Sequence, residues 1–222
     1  MRGGQGAHPL FLYKRKPTMK NYEEKYEPKS LAEMAIHDPN NEIMPLLSRV
    51  ATGEHNPNIL LYGANGTGKT TLSKVLTSQY YGTHGEQDNT HFVQMAFEKD
   101  SRQYERDKTL FHWSTSGVSW HILDEVDKCT HKNVYNELHH TLDNKHGHRY
   151  ILTANQIVNI PQGILSRARP LPIDCPTPAE FLPRAQHILQ QEGVEVPDAK
   201  VLAVLTAAGR DLRRYYGALE LL

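Results

Sequence analysis

One octapeptide limits this chain more than any other feature. Gly63-Ala64-Asn65-Gly66-Thr67-Gly68-Lys69-Thr70 fits the pattern G-x-x-x-x-G-K-[ST] and directly follows the apolar run Asn58-Ile59-Leu60-Leu61-Tyr62. Such a run, stopped by glycine, reads as a buried parallel strand, and a helix is predicted after the loop through about Tyr80. Glycines let backbone N–H groups curl around phosphate oxygens, and the helix N-terminus adds its positive dipole. Lys69 is placed to reach the β and γ phosphates, and the Thr70 hydroxyl to ligate Mg²⁺. The binding set therefore runs from Gly63 to Thr70, with Thr71 beside it, and the implied ligands are ATP and Mg²⁺. A chance match in this length is on the order of one in a hundred at average residue frequencies. The strand–loop–helix context decides further against a mere structural turn.

Downstream, Ile122-Leu123-Asp124-Glu125 ends another apolar run in two adjacent carboxylates. Neighbouring residues on a strand point to opposite faces, so the two acids are free for different tasks. Asp124 is assigned to the Mg²⁺ shell with Thr70, and Glu125 to polarising the attacking water.

The remaining pattern is α/β. Ser30-Leu31-Ala32-Glu33 is a capping box, and Asn41 to Thr52 has helical spacing ended by Gly53. His91 to Ala96, Ser119 to Leu123 and Tyr150 to Thr153 are strand candidates, with a helix over Asn133 to Asp143 between the last two. Strands alternating with helices predict a five-stranded parallel sheet with helices on both faces, spanning residues 21–175. Past Pro170 the texture becomes helical. Thr177-Pro178-Ala179-Glu180 opens one helix, Val201, Leu202 and Leu205 mark a second, and Asp211 to Leu222 gives a third. Residues 176–222 are read as a small helical lid.

Composition narrows the class. Apolar residues make up 38% of the 222, enough for a core, so wholesale disorder is excluded. No apolar run approaches the roughly 18 residues a membrane span needs. Two cysteines, Cys129 and Cys175, build neither a disulfide framework nor a four-cysteine zinc site, and a reducing, cytoplasmic setting fits. Residues 1–20 read as a disordered basic leader: residues 1–22 hold Arg2, Lys14, Arg15, Lys16 and Lys20 and no acid. The rest carries 20 basic against 25 acidic side chains, so DNA binding must come from a local patch or an assembled surface. His131, His139, His140, His146 and His148 cluster without a metal-site pattern and read as a solvated or partner-facing surface. Lys128, Lys132 and Lys145 share that stretch.

The ordered motifs resemble those of the AAA+ ATPases, and the flanking sequence resembles clamp-loader small subunits of the replication factor C and phage type. Tyr22-Glu23-Glu24-Lys25-Tyr26-Glu27-Pro28-Lys29-Ser30-Leu31 is similar to that family's opening motif, which lies near the adenine. Leu152-Thr153-Ala154-Asn155 resembles sensor 1, which implies that Asn155 helps position the lytic water. Leu165-Ser166-Arg167-Ala168 resembles the Ser-Arg-Cys signature, whose arginine reaches the neighbouring subunit's γ-phosphate. Gly209-Arg210-Asp211-Leu212-Arg213-Arg214 resembles sensor 2, which places Arg213 on the nucleotide in cis. The likeness runs from about Asn21 to Leu222.

Departures are equally specific. Glu27 replaces an arginine, Ala168 a cysteine, and the strand ending near Ala96 lacks the family's asparagine that restrains the catalytic glutamate until DNA binds. A helical collar would follow the lid in the family, and no residues remain here to build one. The resemblance implies Mg²⁺-dependent ATP hydrolysis that assembles or remodels a partner on DNA, in a homo- or hetero-oligomer of AAA+ subunits. The partner would be of the sliding-clamp kind, and the chain phage- or mobile-element-encoded, acting at the nucleoid. The basic stretch at Lys128, Lys132 and Lys145 would face DNA inside the spiral and contact phosphates, the alternative being a solvated helix face. Alternatives are a collarless helicase loader or transposition-type regulator, and an adaptor subunit that binds ATP without hydrolysing it.

Overall fold

The apolar runs become the strands of one sheet. The computed structural model describes residues 21–95, 117–129, 132–143 and 147–222. Within them lie β1 (Ile59–Tyr62), β2 (His91–Gln94), β3 (Ser119–Asp124), β4 (His148–Ala154) and β5 (Arg169–Pro172), all paired in parallel in the order β2-β3-β4-β1-β5. The helices are α1 (Tyr22–Lys25), α2 (Ile43–Ala51), α3 (Lys69–His84), α4 (Lys132–Asp143), α5 (Gln162–Leu165), α6 (Pro178–Gln191), α7 (Asp198–Ala208) and α8 (Leu212–Leu219).

Alternation along each strand fills two layers. Ile59, Leu61, Ile122 and Ile151 pack with Leu47 and Val50 of α2 and Leu72 and Leu76 of α3. Leu60, Leu123 and Leu152 face the other way, onto Leu138 and Leu142 of α4 and Ile164 of α5. A sheet covered on both faces needs strands that are apolar throughout, which is why β1 carries no polar alternation. Each fully buried Leu or Ile contributes roughly 1.5–3 kcal/mol through burial.

The fifth strand had no periodic signal, because Arg169-Pro170-Leu171-Pro172 carries two prolines. It lies at the sheet edge beside β1, where Arg169 N–H donates to Asn58 O at 2.8 Å and Ile173 N–H to Tyr62 O at 2.7 Å. In a parallel strand alternate residues turn their backbone groups to the same neighbour. Pro170 and Pro172 fall on the outward positions, where a missing N–H breaks no ladder bond.

Local signals set the helix ends. Asp38 accepts hydrogen bonds from the N–H groups of Glu42, Ile43 and Met44 at 2.8–2.9 Å, so α2 starts at Ile43 rather than Asn41. The Ser30 capping box yields only a single 3-10 turn, Leu31–Glu33, in which the Ser30 hydroxyl donates to the Glu33 carboxylate at 3.2 Å. The Thr177–Glu180 box forms in full and opens α6.

Helices α6 to α8 share a third apolar cluster around Phe181, Ile188, Val201, Leu205 and Tyr215, on which Tyr22 and Tyr26 also pack. Ion pairs tie the N-terminal segment to these helices, Lys25 to Glu192 at 2.6 Å and Arg184 to Glu33 at 3.4 Å, and the His37 ring Nδ1 lies in hydrogen-bond contact with Glu180 at 3.0 Å.

Three histidines lie side by side across β2, β3 and β4. The His91 and His121 rings are 5.2 Å apart, and His121 Nε2 is 2.9 Å from His148 Nδ1. Burial drives the His91 pKa below its ordinary 6.5, repulsion from His148 adds to this, and Asp88 opposes it. A depressed histidine pKa leaves stability intact above the unfolded value and removes it as pH falls through the folded one. The urea midpoint is therefore expected to drop between pH 7 and pH 5, and His91→Gln to flatten that step. An identical pH slope in the variant would refute the assignment.

Candidate nucleotide-binding site

Parallel strands align their carboxyl ends, and three neighbours meet at one edge of the sheet. From β1 comes the loop Gly63–Thr70, from β3 the pair Asp124-Glu125, and from β4 the turn at Asn155. Crevices outside the carboxyl ends of such strands are where open α/β sheets bind ligands. A cavity of about 380 Å³ opens there. Asn65, Gly66, Gly68, Lys69, Thr70 and Thr71 line one wall, Glu125 and Asn155 the sheet side, and Arg213 the side facing α8.

Glycine is required in the loop for two distinct reasons. A Cβ at Gly63 would lie 2.2 Å from the Ile173 carbonyl oxygen, and one at Gly66, where φ is +74°, 2.5 Å from the Asp211 carboxylate. Leu212 N–H donates to Gly66 O at 2.8 Å, so the start of α8 is bonded directly to the loop. Thr67 Oγ1 donates to Ala64 O at 3.1 Å and fixes the loop's curvature.

Lys69 begins α3, and its ammonium donates to Gly63 O at 2.8 Å and Ala64 O at 2.7 Å. Burial pushes its pKa down, against the pull of Asp127, Asp124 and Glu125. Thr70 Oγ1 and Thr153 Oγ1 each donate to Asp124 Oδ1 at 2.7 Å. Two hard oxygen donors in contact beside a phosphate-shaped loop fit Mg²⁺, which takes one or two protein oxygens along with substrate phosphates. Among the described residues no group of three His, Cys, Asp or Glu side chains is placed to hold a metal.

The acid pair diverges, though not by strand alternation. β3 stops at Asp124, and Glu125 sits in the left-handed region at φ 58°, ψ 46°. For a residue with a Cβ this costs about 1–2 kcal/mol. Two contacts hold the turn: Glu125 N–H donates to Thr153 Oγ1 at 2.9 Å, and the Lys128 ammonium pairs with the Glu125 carboxylate. That hydrogen bond raises the Lys128 pKa. Asp127 Oδ2 accepts from Asn155 N–H at 3.0 Å, fixing the turn that carries Asn155.

The remaining candidates take the following places. Tyr22 and Tyr26 stack edge-to-face, 5.6 Å between centroids, while the cavity wall on their side comes from Glu23, Glu24, Glu27 and Pro28. Arg213 lies 3.5 Å from Glu23. Arg167 is not in this cavity. It sits near the amino ends of β1 and β5, where its Nε is 2.8 Å from Asp143 Oδ2 and Nη1 donates to Gly163 O at 2.9 Å. Lys128 is engaged by Glu125, while the Lys132 side chain, Lys145, Ala96, His131 and His146 lie outside the described residues. His148 joins His121 rather than the histidines of α4. Residues missed in the sequence are Thr153, Asp127 and Arg184. The only available signal was the polar character of Thr153 directly after the apolar run Tyr150-Ile151-Leu152.

The fold and the loop define a phosphate-loop α/β protein of the P-loop class. More narrowly, the chain belongs to the AAA domain family, whose model matches residues 55–167. It is similar to replication factor C subunit 5 of Mus musculus, 26% identical over 211 residues, and to replication factor C small subunit 2 of Pyrobaculum arsenaticum, 30% over 204. Each alignment takes in 89% of this chain but 58% and 62% of those proteins, so the chain spans about three fifths of their length. The Thermotoga maritima RuvB Holliday junction branch migration motor shares the fold, with a TM-score of 0.73 at 20% identity over 88% of this chain and 64% of that one.

Proposed function

We propose that the chain is a clamp-loader-like AAA+ subunit that hydrolyses ATP with Mg²⁺ to assemble or remodel a partner on DNA. The observation that carries this is the meeting of Lys69, the Thr70–Asp124 pair and Glu125 at one cavity, with Arg167 directed elsewhere. In this reading residues 21–175 form the nucleotide-binding body and 176–222 the lid. Lys69 exchanges the loop carbonyls for the β and γ phosphates, and Asn155 orients the water. Glu125 accepts its proton, and Arg213 contacts the nucleotide from the lid side. Thr70 and Asp124 would hold Mg²⁺, which neutralises charge on the transferring phosphoryl group. Hydrolysis is then mainly positioning and charge stabilisation. Similarity to replication factor C subunits supports partners of three kinds: further AAA+ subunits, DNA, and a clamp-type replication factor.

Phosphate release by the purified chain, with and without Mg²⁺ and primed duplex DNA, tests the reading. Mg²⁺-dependent turnover that rises with DNA is expected. Absence of ATP binding would refute the nucleotide assignment. Tight binding with no turnover at any protein concentration, with or without DNA, would favour the adaptor.

A further inference from the structure

We propose that Thr153 is a positioning residue that locks the metal-binding and proton-accepting carboxylates into one geometry. The inference rests on the hydrolytic reading above and deepens it. β4 lies beside β3 with Leu152 opposite Leu123, which brings the Thr153 side chain against the Asp124-Glu125 step. Its hydroxyl is buried, the residue being 1% exposed, and is used in both directions. The O–H donates to Asp124 Oδ1 at 2.7 Å, and the oxygen accepts Glu125 N–H at 2.9 Å. A hydroxyl has a single proton to give, so Thr153 commits its donor to the side chain of one acid and an acceptor site to the backbone of the next.

That second bond holds a residue the backbone disfavours. Glu125 is one of two non-glycine residues with positive φ among those described, and past its left-handed turn its carboxylate pairs with Lys128. If the N–H loses its acceptor, the turn relaxes toward ordinary φ and the carboxylate swings with it. Asp124 keeps its bond from Thr70, so the nucleotide loop itself is untouched. The effect therefore falls on the chemical step and spares ATP binding. Thr70 and Asp124 are placed in the machinery, whereas Thr153 acts through them.

The experiment compares Thr153→Val, which keeps the branched shape and removes both bonds, with Thr153→Ser, which keeps the hydroxyl. Turnover and KM are measured under conditions where the unmodified chain hydrolyses ATP, with nucleotide affinity read by a fluorescent ATP analogue. Val is expected to lower kcat about 10- to 100-fold, the usual range for groups that orient a functional ligand. KM and analogue affinity should stay within about twofold, and Ser should recover most of kcat. In a Glu125→Gln background the Val change should add little, because both act on one step. Wild-type kcat in Thr153→Val, or losses that simply multiply in the double variant, would overturn the role of Thr153 and leave the hydrolytic reading standing. An unmodified chain that binds but never hydrolyses ATP would overturn both. Should Val fail to fold, Thr153→Ala with the same readouts decides the matter.

Discussion

Lys69→Ala is expected to lose ATP binding, whereas Glu125→Gln keeps ATP and turns over about 10²- to 10⁴-fold more slowly. The two residues share a cavity, and in the proposed mechanism they meet different parts of the reaction. Lys69 is the loop's one side-chain cation, buried and bonded to the carbonyls of Gly63 and Ala64. Removing it takes away a charge-assisted contact, of the kind worth about 1.5–3 kcal/mol each, and leaves two loop carbonyls without their donor. Glutamine at 125 preserves size, and its amide oxygen still accepts from Lys128, so the turn survives. An amide cannot take a proton at neutral pH, and a positioned base contributes typically 10²–10⁴-fold. Binding measured by calorimetry and turnover by phosphate release separate the two outcomes. Equal loss of binding in both variants would refute the division of roles.

What was legible in the sequence is what chemistry forces into a fixed spacing. The loop Gly63–Thr70 could be read because close backbone approach, here to Ile173 O and the Asp211 carboxylate, leaves no room for a Cβ. β1, β3 and β4 could be read because burial on both faces puts an apolar run in each: Ile59-Leu60-Leu61, Ile122-Leu123 and Tyr150-Ile151-Leu152. The α6 start could be read because Thr177, Pro178 and Glu180 satisfy its first N–H groups locally. Illegible were features that depend on distant partners. β5 is a strand only because an edge position tolerates its prolines. The left-handed turn at Glu125 has no signature in Asp-Glu-Val, and Thr153 looks like any β-branched strand residue until β3 is laid beside it. The Lys25–Glu192 and Arg184–Glu33 pairs join residues 167 and 151 positions apart, beyond the reach of any periodicity.

Arg167→Ala is expected to lower turnover by about 10³- to 10⁵-fold in the assembled protein, the usual worth of an arginine finger, while leaving ATP affinity near that of the unmodified chain. The reason is its place. Arg167 stands toward the amino ends of the strands, bound to Asp143 and to Gly163 O, and contributes nothing to the cavity of its own chain. In the proposed function a guanidinium there serves the nucleotide of a neighbouring subunit, across a junction. Specific activity should therefore rise with protein concentration, since ATP and DNA favour whichever state binds them better. Mixing Arg167→Ala with Glu125→Gln supplies a sharper test. Each variant alone is nearly idle, yet junctions that pair an intact finger with an intact base should restore part of the activity. Random pairing makes that recovery fractional, and it should vanish on dilution below the assembly threshold. A rate independent of concentration, from a protein that stays monomeric with ATP and DNA, would refute the shared site.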